Sequence, residues 1–229
     1  MPTCRSSRAV TKDRDSALQS AIERTVARYA SAPKGARYYV SSKLAYDPVL
    51  DAVIRLPGNF GLTVDAGCGR GQLGLCLVEL GRVGKLRGFD WDAAKVELAN
   101  RAAADAATYT VDDLSAHSFE KADTILCIDV LHYLSRAEQD SLLGRAFDAL
   151  RPKGRLIVRD VDASRTASIW ARAAEHVGAL LGMNRANTLV FRTRDEIVSA
   201  LRAIGADVLG AEATGGPLTN VLIVAQKPS

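Results

Sequence analysis

The sequence is short of several things, and each shortage excludes something. Among 229 residues there are four cysteines and three histidines, and aromatic residues make up 6%. Cys4, Cys68, Cys76 and Cys127 show no paired spacing, and three of them sit inside apolar stretches. Neither a disulfide framework nor a metal cluster is expected from them, so no metal is assigned and a reducing, cytoplasmic setting is the expectation. No apolar run approaches the ~18 residues that cross a bilayer, which predicts no membrane span. Arg5 and Arg8 near the start have no apolar block behind them, unlike a secretory signal. With 18 Gly and 7 Pro, 48% hydrophobic and 24% charged residues, a collagen-like or largely disordered chain is excluded.

What is there reads as one domain with an appendage. Charge is uneven: residues 1–45 hold nine Lys/Arg against Asp13, Asp15 and Glu23, a net +6, while the rest holds 21 against 23, a net −2. The basic character therefore belongs to an N-terminal arm, where a solvated helix face explains it better than a nucleic-acid stripe. The first dozen residues are expected to fray, and a helical stripe runs from Ser16 to Tyr29. Pro33 and Gly35 predict a break, and a further helix is expected over Asp47 to Leu56. Residues 1–57 are thus taken as a helical arm or lid, and 58–229 as the main domain.

After Gly58 strands and helices alternate. Strands are expected at 61–66, 85–90, 108–111, 123–129, 155–160, 207–211 and 220–225. Ser135 with Glu138, and Thr193 with Glu196, have the spacing of capping boxes at helix starts. A long helix is expected after the fifth strand. Alternation of this kind gives an α/β fold: a doubly wound, mostly parallel seven-stranded Rossmann-like sheet. The last two strands, joined through Gly215-Gly216-Pro217 with no helix between them, must pair antiparallel.

The most specific feature is Val64-Asp65-Ala66-Gly67-Cys68-Gly69-Arg70-Gly71 at the first strand-to-helix turn. Glycine there lets backbone come within contact distance of a ligand. From Gly69 to Gly74 the segment also fits the dinucleotide pattern G-x-G-x-x-G. A pyrophosphate, however, would be repelled by an acid at the loop entrance. Read from Asp65 as D-x-G-x-G-x-G, the turn resembles the first motif of class I S-adenosylmethionine-dependent methyltransferases, whose cofactor is phosphate-free and carries an ammonium and a sulfonium. The resemblance extends from Leu62 to about Lys227 and includes Cys127-Ile128-Asp129-Val130-Leu131-His132-Tyr133-Leu134, similar to the family's fourth motif, and the Arg151-to-Leu156 turn.

That resemblance implies S-adenosyl-L-methionine as cofactor and assigns residues to it. Asp65, Gly67, Cys68 and Gly69 would form the turn around its methionine end. Asp90 matches the ribose-binding acid and Trp91 the residue against adenine. Asp112 or Asp113 would accept from the adenine amino group, with Leu114 beside the ring. Ile128 and Asp129 would pass beneath the reactive methyl. On this basis Gly67→Val is expected to fold normally and lose only cofactor binding.

The acceptor is less legible. The fourth motif has no Asn/Asp-Pro-Pro-aromatic run and no Pro-Cys nucleophile, which argues against nucleic acid, and Cys127 reads as core. His132 follows the strand that faces the methyl and is the expected general base, titrating near 6.5, or lower in a dry site. Tyr133 and Asp160 compete for that role. Asp129, Asp160 and Asp162 are an alternative metal set, while His117 and His176 read as surface residues. Tyr38, Tyr39 and Lys43 of the arm would cover the acceptor. A further likeness, carried by Tyr39-Val40, Lys43-Leu44, Asp47-Pro48 and residues 219–225, is to methyltransferases of bacterial aryl-polyene or fatty-acid-type pathways. It implies O-methylation of an aromatic or acyl small molecule, free or on an acidic carrier protein that would suit the basic arm. An RNA or protein methyltransferase and a non-catalytic cofactor-binding regulator remain as alternatives.

Overall fold

The computed structural model describes residues 7–165, 189–215 and 219–229. The expected helix after the fifth strand, His176, Cys4 and the middle of the last hairpin lie outside the described residues. The arm consists of α1 (Ser7–Ala27), α2 (Lys34–Tyr46) and the short α3 (Val49–Ile54). Two expectations are corrected here. Helix α1 begins at Ser7, within the segment expected to fray; the break expected at Pro33 is present between Ala27 and Lys34, but Gly35 lies inside a helix over 34–46. The reason is spacing: Ala36, Val40 and Leu44 recur every fourth residue and are all buried, and Pro33 stands at the N-cap, before the turn whose N–H groups lack helical partners anyway.

The main domain runs β1 (Leu62–Ala66), α4 (Gln72–Glu79), β2 (Lys85–Asp90), α5 (Ala93–Ala103), β3 (Ala107–Val111), β4 (Ala122–Ile128), α6 (Arg136–Ala149), β5 (Leu150–Val161), α7 (Arg194–Ala203), β6 (Asp207–Ala213) and β7 (Asn220–Gln226). Both expected capping boxes are formed, at Ser135–Glu138 and Thr193–Glu196. The seven strands lie in the order β3-β2-β1-β4-β5-β7-β6, parallel except for β7, which is antiparallel to both β5 and β6. The order reverses between β1 and β4, so a crevice opens outside the carboxyl ends of these two strands. Gly67 and Asp129 stand at its edges.

Alternation along the strands builds two core layers. Ile125, Cys127 and Val158 face α6 and α7 through Leu142, Phe147, Ile197 and Leu201. Leu126 and Ile157 face the other way, towards α4, α5 and the arm. Ala21, Tyr29, Val40 and Leu44 of the arm belong to this second layer, together with Leu75 and Leu77 of α4. Arg24 of α1 and Arg28 just beyond it both pair with Glu79 of α4, at 2.7 and 2.6 Å. Arm and sheet thus share a core.

Candidate functional site

The turn after β1 folds back onto β2. The N–H groups of Gly67 and Cys68 both donate to the Phe89 carbonyl, at 2.8 and 2.9 Å, and that of Gly69 donates to Asp90 Oδ2 at 2.9 Å. The two glycines differ in what surrounds them. A Cβ on Gly67 (φ +73°) would lie 2.4 Å from Val130 Cγ1, whereas one on Gly69 (φ +56°) would enter open space. This corrects the expectation for Gly67→Val: the branched side chain collides with Val130 and is expected to lower stability itself. Gly69→Ala is the cleaner probe. It should cost about 1–2 kcal/mol for the left-handed backbone and abolish the thermal shift produced by cofactor. A full shift in that variant would mean that the turn does not line the site.

Asp65, the penultimate residue of β1, is 3% exposed. Burial, and then the charge of Asp90, push its carboxyl up to about 7. Among the described residues no cation offsets this shift, so the acid near the end of the strand is buried without a compensating charge. Together with the open space at Gly69, this donor set fits a ligand that brings a positive charge and no phosphate. Asp90 holds the turn with one carboxylate oxygen and the Asp92 N–H (3.0 Å) with the other, and the remaining lone pairs can accept ribose hydroxyls. Burial pushes the Cys68 thiol far above its ordinary range, which makes it an inert wall.

Trp91, at the end of β2, has the Lys95 ammonium 5.6 Å from its ring centre. Beyond β3, Asp112 pairs with His117 Nδ1 at 2.6 Å, and Asp113 accepts from the N–H and hydroxyl of Ser115 at 2.9 and 2.8 Å. Leu114 is buried nearby, its Cδ1 within 3.6 Å of a Cβ built on Gly67. His117 is not the surface residue that the sequence suggested: its ring stacks on Phe89 with centres 3.7 Å apart. Both acids are thus already engaged, each with room for a further donor.

His132 lies in a turn of 3-10 helix (Leu131–Tyr133) directly after β4, 6% exposed. Its Nδ1 meets Asp160 Oδ1 at 2.7 Å, and its backbone N–H donates to Asp160 Oδ2 at 3.1 Å. A carboxylate on Nδ1 fixes the tautomer that leaves the Nε2 lone pair available. Burial opposes the charged imidazole, but the charge and hydrogen bond of Asp160 outweigh it and raise the pKa above 6.5. The expectation of a value near or below 6.5 is corrected accordingly. The neighbouring Tyr133 ring lies 4.2 Å away centre to centre, and that of Phe191 5.3 Å. Burial, then Asp129 and Asp160, push the Tyr133 phenol up to about 12, so it stays protonated at neutral pH. Of the three candidates, His132 and Asp160 form one unit, and Tyr133 is a neighbour whose protonated hydroxyl is no general base at neutral pH.

Asp129 belongs to a different cluster. Arg159, 2% exposed on β5, bonds Asp129 at 2.7 Å and Asp47 of the arm at 2.9 Å. Lys43 joins Asp47 at 2.6 Å and approaches Asp129 at 3.9 Å. Burial is opposed by Arg159 and Lys43 in both acids; the cations prevail at Asp47, whose pKa is lowered, and burial prevails at Asp129, whose pKa is raised. Asp162 accepts from the N–H groups of Ser164 and Arg194, at 3.0 and 2.9 Å. The three acids considered for a metal are therefore turned to three different partners. Tyr39 lies under the Arg70 guanidinium at 4.5 Å, while Tyr38 is 76% exposed and stands away in solvent. Sequence reasoning missed Arg159, although a cation inside Leu156-Ile157-Val158 and its continuation signals a buried ion pair.

Residues 63–154 match a family described as a methyltransferase domain. No curated protein sequence matches the chain. Among solved structures it is similar to an O-methyltransferase family protein from Burkholderia thailandensis, with a TM-score of 0.68 and 18% identity over 84% of this chain and 59% of that one. It is similar to magnesium protoporphyrin IX methyltransferase (ChlM) from Synechocystis PCC 6803, solved with bound SAH, with a TM-score of 0.61 and 19% identity over 95% and 99% of the two chains. The [4+2]-cyclase SpnF is also similar, at a TM-score of 0.61 and 18% identity over 80% and 81%. At such identities the likeness shows the fold, and the cyclase illustrates that one fold carries several chemistries. The chain spans about three-fifths of the Burkholderia protein.

Proposed function

We propose that this chain, whose residues 63–154 match a methyltransferase domain, is a class I S-adenosylmethionine-dependent methyltransferase that delivers the cofactor's methyl group to an oxygen of a small-molecule acceptor beside His132. The observation that carries this reading is the buried His132–Asp160 pair at the carboxyl ends of β4 and β5. Bound S-adenosylmethionine supplies an electrophilic methyl on a sulfonium. Asp65 and the turn at Gly67–Gly69 would hold its methionine end, and Asp90 its ribose. His132 Nε2 would take the proton of the acceptor's hydroxyl while Asp160 steadies the imidazolium through Nδ1. Tyr39, Lys43 and Tyr133 would border the acceptor.

The Asp65 assignment makes a measurable forecast. A carboxyl at about 7 is mostly protonated at pH 6, and a cation placed beside it drives the proton off. Binding of S-adenosylmethionine should therefore release nearly one proton at about pH 6 and almost none above about pH 8. Calorimetry in buffers of different ionisation enthalpy reads this directly. Asp65→Asn should lose the release.

A cytoplasmic reaction fits the three described cysteines, which are buried and free. Among the described residues no helix is long and apolar enough to cross a membrane. The carrier-protein variant of the proposal is weakened by the arm itself, because Arg24, Arg28 and Lys43 already pair with Glu79 and Asp47 of this chain. The deciding experiment is incubation of the protein with methyl-labelled S-adenosylmethionine and a fractionated cell extract. Label in a small molecule supports the proposal, and label in RNA or protein replaces it. Binding without transfer to any fraction would favour the regulator reading.

A further inference from the structure

Two tyrosine hydroxyls hold the glycine turn from behind, and no sequence motif marks either of them. Tyr29, just beyond α1 and 1% exposed, donates to the Arg70 carbonyl at 2.6 Å. Tyr109, in the middle of β3 and 3% exposed, donates to the Gly71 carbonyl at 3.3 Å. Asp90 takes the Gly69 N–H from the opposite side. Three consecutive residues of the turn are thus tied to three separate parts of the chain. Tyr109 is itself fixed, since the Asn100 amide bonds both its N–H (2.9 Å) and its carbonyl (2.8 Å).

The ring of Tyr109 also accounts for two glycines. A Cβ on Gly71 would lie 2.7 Å from Tyr109 Cζ, and one on Gly88 would lie 2.7 Å from its Cδ1. Gly71 and Gly88 make room for the tyrosine, whereas Gly69, alone among the turn's three glycines, opens onto free space. A turn with glycine at 67, 69 and 71 has wide conformational freedom, and ordering it on binding weakens affinity. Donors placed on its carbonyls beforehand remove that loss.

We infer that Tyr29 and Tyr109 are positioning residues for the cofactor turn, so that the N-terminal arm takes part in cofactor binding through one hydroxyl. This rests on the reading that the turn binds S-adenosylmethionine. The test is calorimetry of the full chain with S-adenosylhomocysteine, comparing wild type, Tyr29→Phe, Tyr109→Phe and Thr25→Val. Thr25 is a fully buried hydroxyl of α1 that bonds Ala21 at 2.7 Å, so its loss disturbs the same helix without releasing a donor from the turn. Each phenylalanine variant should bind about 5- to 30-fold more weakly, while Thr25→Val loses thermal stability and keeps wild-type affinity. Amide exchange at Gly69 and Gly71 in the ligand-free protein should quicken in the phenylalanine variants alone. Wild-type affinity in both phenylalanine variants, or an equal loss in Thr25→Val, overturns the inference. No binding by wild type overturns the cofactor reading beneath it.

Discussion

His132→Ala is expected to lower turnover by about 10²–10⁴, the usual contribution of a positioned acid–base group. The assay uses the acceptor found by labelled transfer. Affinity for S-adenosylhomocysteine should hardly change, because the imidazole is tied to Asp160 and not to the cofactor turn. The pH dependence gives the sharper test. A general base works as neutral imidazole, so the rate should rise with pH through the histidine's titration. Asp160 raises that pKa above 6.5 against the effect of burial, so the rising limb lies above 6.5. Asp160→Asn removes the larger charge that raises it, leaving only the weaker pull of Asp129 against the dominant effect of burial, so the pKa falls, and an amide that can donate to Nδ1 favours the wrong tautomer. Its limb should therefore move down in pH while its maximal rate falls. The same pair contributes to stability with a definite sign: its contribution is full below about 6.5 and fades as pH rises through the raised value. An acceptor that arrives as a carboxylate needs no base. In that case His132→Ala would keep most of its activity and the limb would be absent in wild type, and the oxygen acceptor would have to be reassigned from a hydroxyl to a carboxylate.

How far the sequence reaches can be seen at particular residues. Strand and helix alternation, the antiparallel last pair and both capping boxes are local patterns, and each is formed where its residues stand. The glycine turn was legible for the same reason: an acid at a strand end and alternating glycines lie within seven residues. Helix α2 was obscured because Pro33 and Gly35 read as breakers, while the stripe Ala36, Val40, Leu44 that holds it needed the sheet's second core layer to have meaning. Long-range partners were out of reach. Nothing local links Tyr29 to the carbonyl of Arg70, or His132 to Asp160, 28 positions away. The pKa of His132 was misjudged on that account. Burial was anticipated and its carboxylate was not.

Arg159→Met should produce the largest loss of stability of any single substitution considered for this chain. The guanidinium is 2% exposed and is held by Asp47 at 2.9 Å and Asp129 at 2.7 Å. Methionine keeps much of the stem's packing but leaves two carboxylates facing each other, with Lys43 the one other cation near both among the described residues. Breaking a buried pair by removing one partner costs about 3–5 kcal/mol, a large part of the 5–15 kcal/mol by which domains are usually stable. Asp129 adds to the penalty, because its backbone is left-handed (φ +57°) and its side chain is one of the tethers that hold it there. The pH dependence should also invert locally. In wild type the lowered pKa of Asp47 means that its contribution is present above the unfolded carboxyl value and is lost as pH falls through the folded one. In the variant, burial without the guanidinium raises the carboxyl pKa values, so stability should increase as pH falls from about 7.5 towards 5. Adding Asp47→Asn and Asp129→Asn to Arg159→Met should recover much of the loss, since the charges then vanish together. Urea denaturation at the two pH values reads both effects. Equal stability of Arg159→Met and wild type, or a loss that the two amides do not relieve, would show that the arm is held to the sheet by its apolar layer alone and that the charge cluster is incidental to it.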